Sequence, residues 1–230
     1  MGYAPLDIYP GLRPFLAKGQ LLAQVLQDQM IKKTEHLEDK FHVDLASGTI
    51  TLTGKHETLQ MPCHFVASIA PGPRSILWGF AHPRGDNVAA TLEEWGQNGV
   101  AELAEPELPF PDAFPETPEA ITGLAHEIGV AVCGMLTSGP YYTFLAGESR
   151  QVLLLDPPFE RPSIRDVGAM WTRLLSEGLL DSRQAVRGLA EGLGWKCDER
   201  PDGMSLSDSQ GSIEIELDDH GRISKLYETL

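Results

Sequence analysis

Basic residues are missing from a long stretch of this chain. No Lys or Arg stands between Arg84 and Arg150, yet that stretch holds Asp86, Glu93, Glu94, Glu102, Glu105, Glu107, Asp112, Glu116, Glu119, Glu127 and Glu148. The full 230 residues carry 33 acids against 18 Lys and Arg, a formal charge of -15, so most of the imbalance belongs to this middle segment. Phosphate backbones and anionic lipid surfaces are bound through clustered Lys and Arg. Nucleic acid and membrane surfaces are therefore not expected partners. A basic protein is the partner such a field would attract, set against the plainer reading of a solvated surface that keeps the chain dispersed.

Cysteine is scarce as well. Cys63, Cys133 and Cys197 are odd in number, far apart and without a CxxC pair, which fits reduced thiols better than a disulfide framework. No basic stretch followed by an apolar one opens the chain, no apolar run approaches the ~20 residues of a membrane span, and Leu6 stands where a myristoylation signal would carry Ser or Thr. The expected localisation is cytoplasmic.

The familiar catalytic patterns fail one by one. "GTITLTGKH" has five residues between Gly48 and Gly54 where a phosphate loop has four, and His56 replaces its hydroxyl residue. "HEIGVA" begins like a zinc protease helix at His126, but Val130 occupies the position of the second histidine. Neither GxSxG nor GxGxxG follows a strand. Cys63 and His64 are neighbours on a predicted strand, so they point to opposite faces and cannot form a nucleophile and base with each other. No two histidines are spaced as i, i+4 ligands, and "DDHG" at Asp218 to Gly221 reads as a hairpin turn rather than a calcium loop. No catalytic residue, metal or cofactor is assigned.

What is present is regular patterning. Leu22, Val25, Leu26 and Met30 recur at helical spacing between Arg13 and about Glu38. Period-two runs follow at Phe41 to Leu45, Ile50 to Thr53, Met61 to Ile69 and Ser75 to His82, joined by "ASGT" and "APGPR" turns, which predicts an antiparallel meander. Asn87 to Gln97 reads as a short helix, and "EPELPFPDAFPETP" as an extended surface loop because of its prolines. Thr117 and Pro118 open a second long helix carrying Ile121, Leu124, Ala125, Ile128 and Val132. "PYYTFLAG" and "RQVLLLDPP" read as paired strands. After the proline-rich "DPPFERP", Ile164, Val167, Trp171 and Leu174 mark one helix, Asp181 to Gly194 another, and three short strands close the chain. The predicted fold class is α+β: an antiparallel sheet covered by an N-terminal helix and a later long helix in residues 1–158, with a small helix-helix-strand unit in 159–230 packed on it.

Three functions fit these patterns. The first is a non-enzymatic inhibitor or immunity-type partner of a basic protein, using an acidic face of Glu93, Glu94, Glu102, Glu105, Glu107, Asp112, Glu116 and Glu119. The second is an enzyme or small-ligand binder whose groove is lined by Trp78, Phe80, His82, Tyr141 and Tyr142. The third is a scaffold subunit that oligomerises through an apolar patch; the composition fixes no oligomeric state.

"ILWGFAH", residues Ile76 to His82, resembles the WLWAWAN-like strand of an uncharacterised bacterial domain family. "FHVDLASGTITLTG" and "FVASIAPGPRSILWGFAH" are similar to the start and later strands of that family, with Ile76, Phe80 and His82 departing from its usual residues. The resemblance runs from Phe41 to His82 and more loosely to Asp156; it implies a helix-then-strands fold and carries no activity.

Overall fold

The structure is a computed structural model that describes residues 9–37, 40–83, 86–168, 170–171, 173 and 178–229. The first eight residues, on which the leader and myristoylation readings rest, lie outside that range, as do Glu38, Arg84 and Leu174. Helix α1 (Arg13–Thr34) has Pro14 in its first turn and Lys32 and Lys33 in its last, where cations meet the negative end of the helix dipole. Strands β1 (Lys40–Asp44), β2 (Thr49–Thr53), β3 (Thr58–Ala70) and β4 (Ser75–Trp78) follow as consecutive antiparallel neighbours. The first turn is held by Asp44, whose Oδ1 accepts from the Ala46 amide at 2.8 Å, and by Gly48 at φ 62°.

Next come α2 (Asn87–Gln97), the short β5 (Glu107–Pro109), α3 (Pro118–Leu136), β6 (Tyr141–Ala146) and β7 (Ser149–Leu155). All seven strands share one sheet, with β3 at its hub. The first part of β3 pairs with β2 and its last part with β4, while Cys63 to Ile69 pair with β7 across a bulge between Phe65 and Ala67. Thr117 caps α3 by accepting from the Ala120 amide at 3.2 Å. The stripe Ile121, Leu124, Ile128 and Val132 packs on Val66, Ile69, Val152 and Leu154 of the sheet. By length and composition α3 could cross a membrane, contrary to the expectation of no such run; its apolar residues are instead spent on this core.

Among the described residues there follow α4 (Ile164–Gly168), α5 (Ser182–Leu193) and a four-stranded antiparallel sheet of β8 (Lys196–Arg200), β9 (Gly203–Ser207), β10 (Ser212–Leu217) and β11 (Ile223–Thr229). Asp181 caps α5 by accepting from the Gln184 amide at 3.0 Å, and Gly194 ends it at φ 74°. Strand β8 is one more than the patterning shows, since Lys196, Asp198 and Arg200 give it no apolar face. This C-terminal sheet and α5 do not build their core alone. Leu21, Leu22, Val25 and Leu26 of α1 complete it, packing with Val186, Leu189, Leu193 and Ile213.

Helix α1 thus serves three cores, Met30 joining Ile50, Met61 and Leu153 in the third, and glycines let its neighbours approach. A Cβ on Gly19 would fall 2.0 Å from the Val130 carbonyl of α3, one on Gly134 of α3 would fall 2.1 Å from the Phe15 carbonyl, and one on Gly188 of α5 would fall 2.0 Å from the Lys18 carbonyl. Backbone meets backbone at these crossings.

Two expectations fail locally. The strand beginning at Ser75 stops at Trp78, and Gly79–Ala81 form a turn of 3-10 helix. A Cβ at Gly79 would fall 2.0 Å from the Phe65 carbonyl, so the chain turns there by pressing its backbone against β3. The proline-rich segment is not wholly a surface loop either. It supplies β5, an edge strand on β4 where Pro109 is tolerated, and it buries Phe110 and Phe114 with ring centroids 4.6 Å apart.

Candidate functional site

Most acidic residues of the basic-free segment stand on α2, on the edge strand β5 and its flanking turns, and at the start of α3, here called the cap. Asp86 opens α2 by accepting from the Val88 and Ala89 amides at 2.9 and 3.1 Å, and Ala89, Leu92 and Gly96 face inward. That leaves Glu93 and Glu94 outward. Gly96 lets the following turn close down, since its Cβ would fall 2.0 Å from the Leu103 carbonyl, and the Val100 amide donates back to Trp95 at 3.1 Å. Trp95 in turn lies edge-on to Phe15 at 5.0 Å. The Phe110 amide donates to the Arg74 carbonyl at 2.7 Å, fixing the exit from β5. These bonds fix the backbone that carries the acids of residues 93–119.

Seven of the eight predicted face residues are exposed on it: Glu93, Glu94, Glu105, Glu107, Asp112, Glu116 and Glu119. Glu116 is paired with Arg74, and Glu107 accepts from the Ser75 hydroxyl at 2.5 Å. Among the described residues the other five have no cationic partner. Four acids of the C-terminal sheet are paired instead: Glu199 meets Arg187 at 2.7 Å, Asp218 meets Arg222 at 2.8 Å, Glu216 meets Lys225 at 3.0 Å, and Glu214 is paired with Arg200, while Asp202, Asp219 and Glu228 have no cationic partner among the described residues.

Glu102 corrects the expectation for the eighth. It is only 6% exposed, its Oε1 accepts from the Gly11 amide at 2.7 Å, and its carbonyl accepts from the Trp78 indole at 2.7 Å. Its Oε2 is buried without a hydrogen-bond partner among the described residues. Val100 and Leu103, both buried, pull Glu102 under the surface with them.

The five aromatic and histidine positions of the predicted groove do not come together. Trp78 is sealed in the core, and Phe80 is half-buried against that core on the turn after β4. The half-buried His82 lies edge-on to Phe65 at 5.2 Å. Tyr141 and Tyr142 are adjacent on β6 and so face opposite ways. Tyr141 joins His126, whose Nδ1 is 3.0 Å from its hydroxyl, in a cavity of about 460 Å³ between α1 and α3. Tyr142 meets Phe41 and Phe144 on the other side of the sheet.

The two buried cysteines hold their protons. Burial, then the charges of Asp86 and Asp44, push the Cys63 thiol up to about 11, and burial pushes Cys133 to about 12, so neither supplies thiolate near neutral pH. Asp86 Oδ2 lies 2.6 Å from His64 Nδ1, an Asp-His pair that sequence reasoning missed because the two stand 22 positions apart. The same carboxylate caps α2, and the His64 ring bonds to no described hydroxyl or thiol. No three described His, Cys, Asp or Glu residues are grouped to hold a metal ion.

Comparison with the curated proteins and with the solved structures finds no match. The profile of a family of unknown function, DUF6882, matches residues 14–158, from the first turn of α1 past the end of β7 and across the whole acidic cap, so the chain belongs to that family.

Proposed function

We propose that this chain is a non-enzymatic binding protein of the inhibitor or immunity type, cytoplasmic, that receives a basic protein on the cap formed by residues 93–119. The observation that carries the reading is a contrast in pairing: five exposed carboxylates on the cap have no described cation within ion-pair distance, while Glu199, Glu214, Glu216 and Asp218 of the C-terminal sheet are each paired with an Arg or Lys. Unpaired charge on one piece of surface adds up within a Debye length of about 8–10 Å. Such a field raises the encounter rate with a cationic partner by about 10–10³-fold at low salt and orients it on arrival.

Location can be separated from net charge with two variants of equal charge. Glu93→Gln, Glu94→Gln, Glu105→Gln and Asp112→Asn together neutralise the cap, whereas Glu35→Gln, Glu148→Gln, Asp202→Asn and Asp219→Asn neutralise exposed acids elsewhere. The wild-type chain is used as bait in extract of its own source cells, and the captured protein is then purified. It is expected to be basic and to associate about tenfold more slowly with the cap variant at low salt, with little change for the second variant. Equal effects of the two variants, or capture of no basic protein, would remove the proposal.

A further inference from the structure

We infer that a second site, at the far end of α1 from the cap, takes a small aromatic phosphate monoester. It does not rest on the docking reading. The first turn of α1 meets the cap through Phe15 and Trp95, and at about 1.5 Å per residue the last turn of this 22-residue helix stands about 30 Å away. There Val25, Gln29, Lys32 and Lys33, one stripe of the helix, form a wall of a cavity of about 510 Å³ that Phe159, Arg161 and Met170 also line. Cavities of this size hold single small molecules. The walls are tied together: Gln29 Nε2 donates to the Glu160 carbonyl at 2.7 Å, Arg161 donates to the Gly192 carbonyl, and the Ile164 amide donates to Asp208 Oδ2 at 2.9 Å. The α1 wall lies inside the family profile and the opposite wall outside it, so the site needs both parts of the chain.

Unspent positive charge gives the cavity its chemistry. Many cations of this acidic chain are taken by carboxylates: Lys18 pairs with Glu191, Arg74 with Glu116 and Arg173 with Asp28, and the C-terminal sheet engages Arg187, Arg200, Arg222 and Lys225. Lys32, Lys33 and Arg161 enter no ion pair among the described residues, and all three are exposed, so a ligand reaches them from solvent. Glu160 and Asp166 also line the cavity, but Asp166 Oδ2 is turned to its own helix start, accepting from the Ser163 amide at 2.9 Å and hydroxyl at 2.7 Å. Neutralising the end of the helix dipole accounts for lysines in the last turn of α1, but not for Arg161 or for the apolar wall. A phosphate monoester carries close to two negative charges at neutral pH and three acceptor oxygens, enough to engage two ammonium groups and the remaining N–H donors of a guanidinium. Half-buried Phe159 and Met170 present a ring and a thioether to the rest of the ligand, and both make favourable contacts with an aromatic ring.

The test titrates the full chain at low salt with naphthyl phosphate, with naphthol and with inorganic phosphate, while the backbone amide resonances of Gln29, Lys32, Lys33, Arg161 and Met170 are followed by NMR. Naphthyl phosphate is expected to move these resonances with a dissociation constant of about 1 mM or tighter, and naphthol and inorganic phosphate to bind about tenfold more weakly or worse. Lys32→Gln with Lys33→Gln is expected to weaken naphthyl phosphate about tenfold or more. Lys40→Gln with Lys55→Gln removes the same charge at exposed positions elsewhere and is expected to leave its binding unchanged. All four lysines are exposed, so both variants are expected to melt as the wild-type chain does. Binding of naphthol or inorganic phosphate as tight as that of naphthyl phosphate, shifts spread evenly over the chain, or equal losses in the two variants would overturn the site. The docking reading fails separately, since the two sites share no residue: a cap that captures no basic protein leaves this site standing, and an inert cavity leaves the cap.

Discussion

Gly19→Val is expected to destabilise the chain by about 4 kcal/mol or more, placing it among the rare severe substitutions. The cause is backbone contact. Gly19 and Gly134 meet where α1 crosses α3, and the first atom of any side chain at Gly19 would fall 2.0 Å from the Val130 carbonyl. No rotamer relieves a clash at Cβ, so the helices must separate and strip contact from the buried residues on both sides, among them Leu16, Ala23, Ile128 and Ala131. Total stabilities of domains run at about 5–15 kcal/mol, so the variant should lie close to unfolding in urea titration or fail to accumulate as folded protein. Gly72→Ala is the control, because nothing lies within 4 Å of its added carbon; its effect should stay within about 0.5 kcal/mol. A Gly19→Val protein whose urea midpoint matches wild type would mean that the two helices do not cross there.

Deleting residues 159–230 is the second change with a large expected consequence. It would uncover Leu21, Leu22, Val25 and Leu26, which α1 shares with the C-terminal core. Each fully buried aliphatic side chain contributes about 1.5–3 kcal/mol relative to exposure, as an upper range. Four of them together rival the whole stability of a domain. The shortened chain is expected to bind a hydrophobic dye, to melt without a sharp transition and to aggregate at micromolar concentration. A cooperative melt within a few degrees of the full chain would instead show that the part matched by the family profile folds by itself.

Local elements were legible in the sequence wherever one residue decides them. Thr117 with Pro118, Asp181 with Gln184, and Gly194 announce helix ends through hydrogen bonds made within three or four positions. The period-two runs of β2 and β3 likewise show in alternating burial, whereas β1 is exposed at Lys40, Phe41 and His42 in succession. What could not be read depends on partners far along the chain. Nothing near Trp78 says that Gly79 will press on the Phe65 carbonyl and end the strand, so Trp78, Phe80 and His82 looked like one face of a longer strand. The separation of Tyr141 from Tyr142, by contrast, follows from their adjacency on a strand and was available from the start. Glu102 looked like surface because carboxylates nearly always are. Its burial is set by an amide 91 positions away at Gly11 and by an indole at Trp78. Proline content hid Phe110 and Phe114 in the same way: the backbone of that segment is at an edge, while its rings are in the core.

The crowding of negative charge on residues 93–119 is the physical claim on which the docking proposal depends, and it can be measured without any partner. Amide proton relaxation would be recorded by NMR with a cationic nitroxide in solution and again with an anionic one of the same shape. A negative cap predicts that the ratio of cationic to anionic enhancement peaks at the amides of Glu93, Glu94, Glu105 and Asp112, and that it falls there when salt is raised. A ratio that is uniform over the molecule, or that peaks on the C-terminal strands, would contradict it.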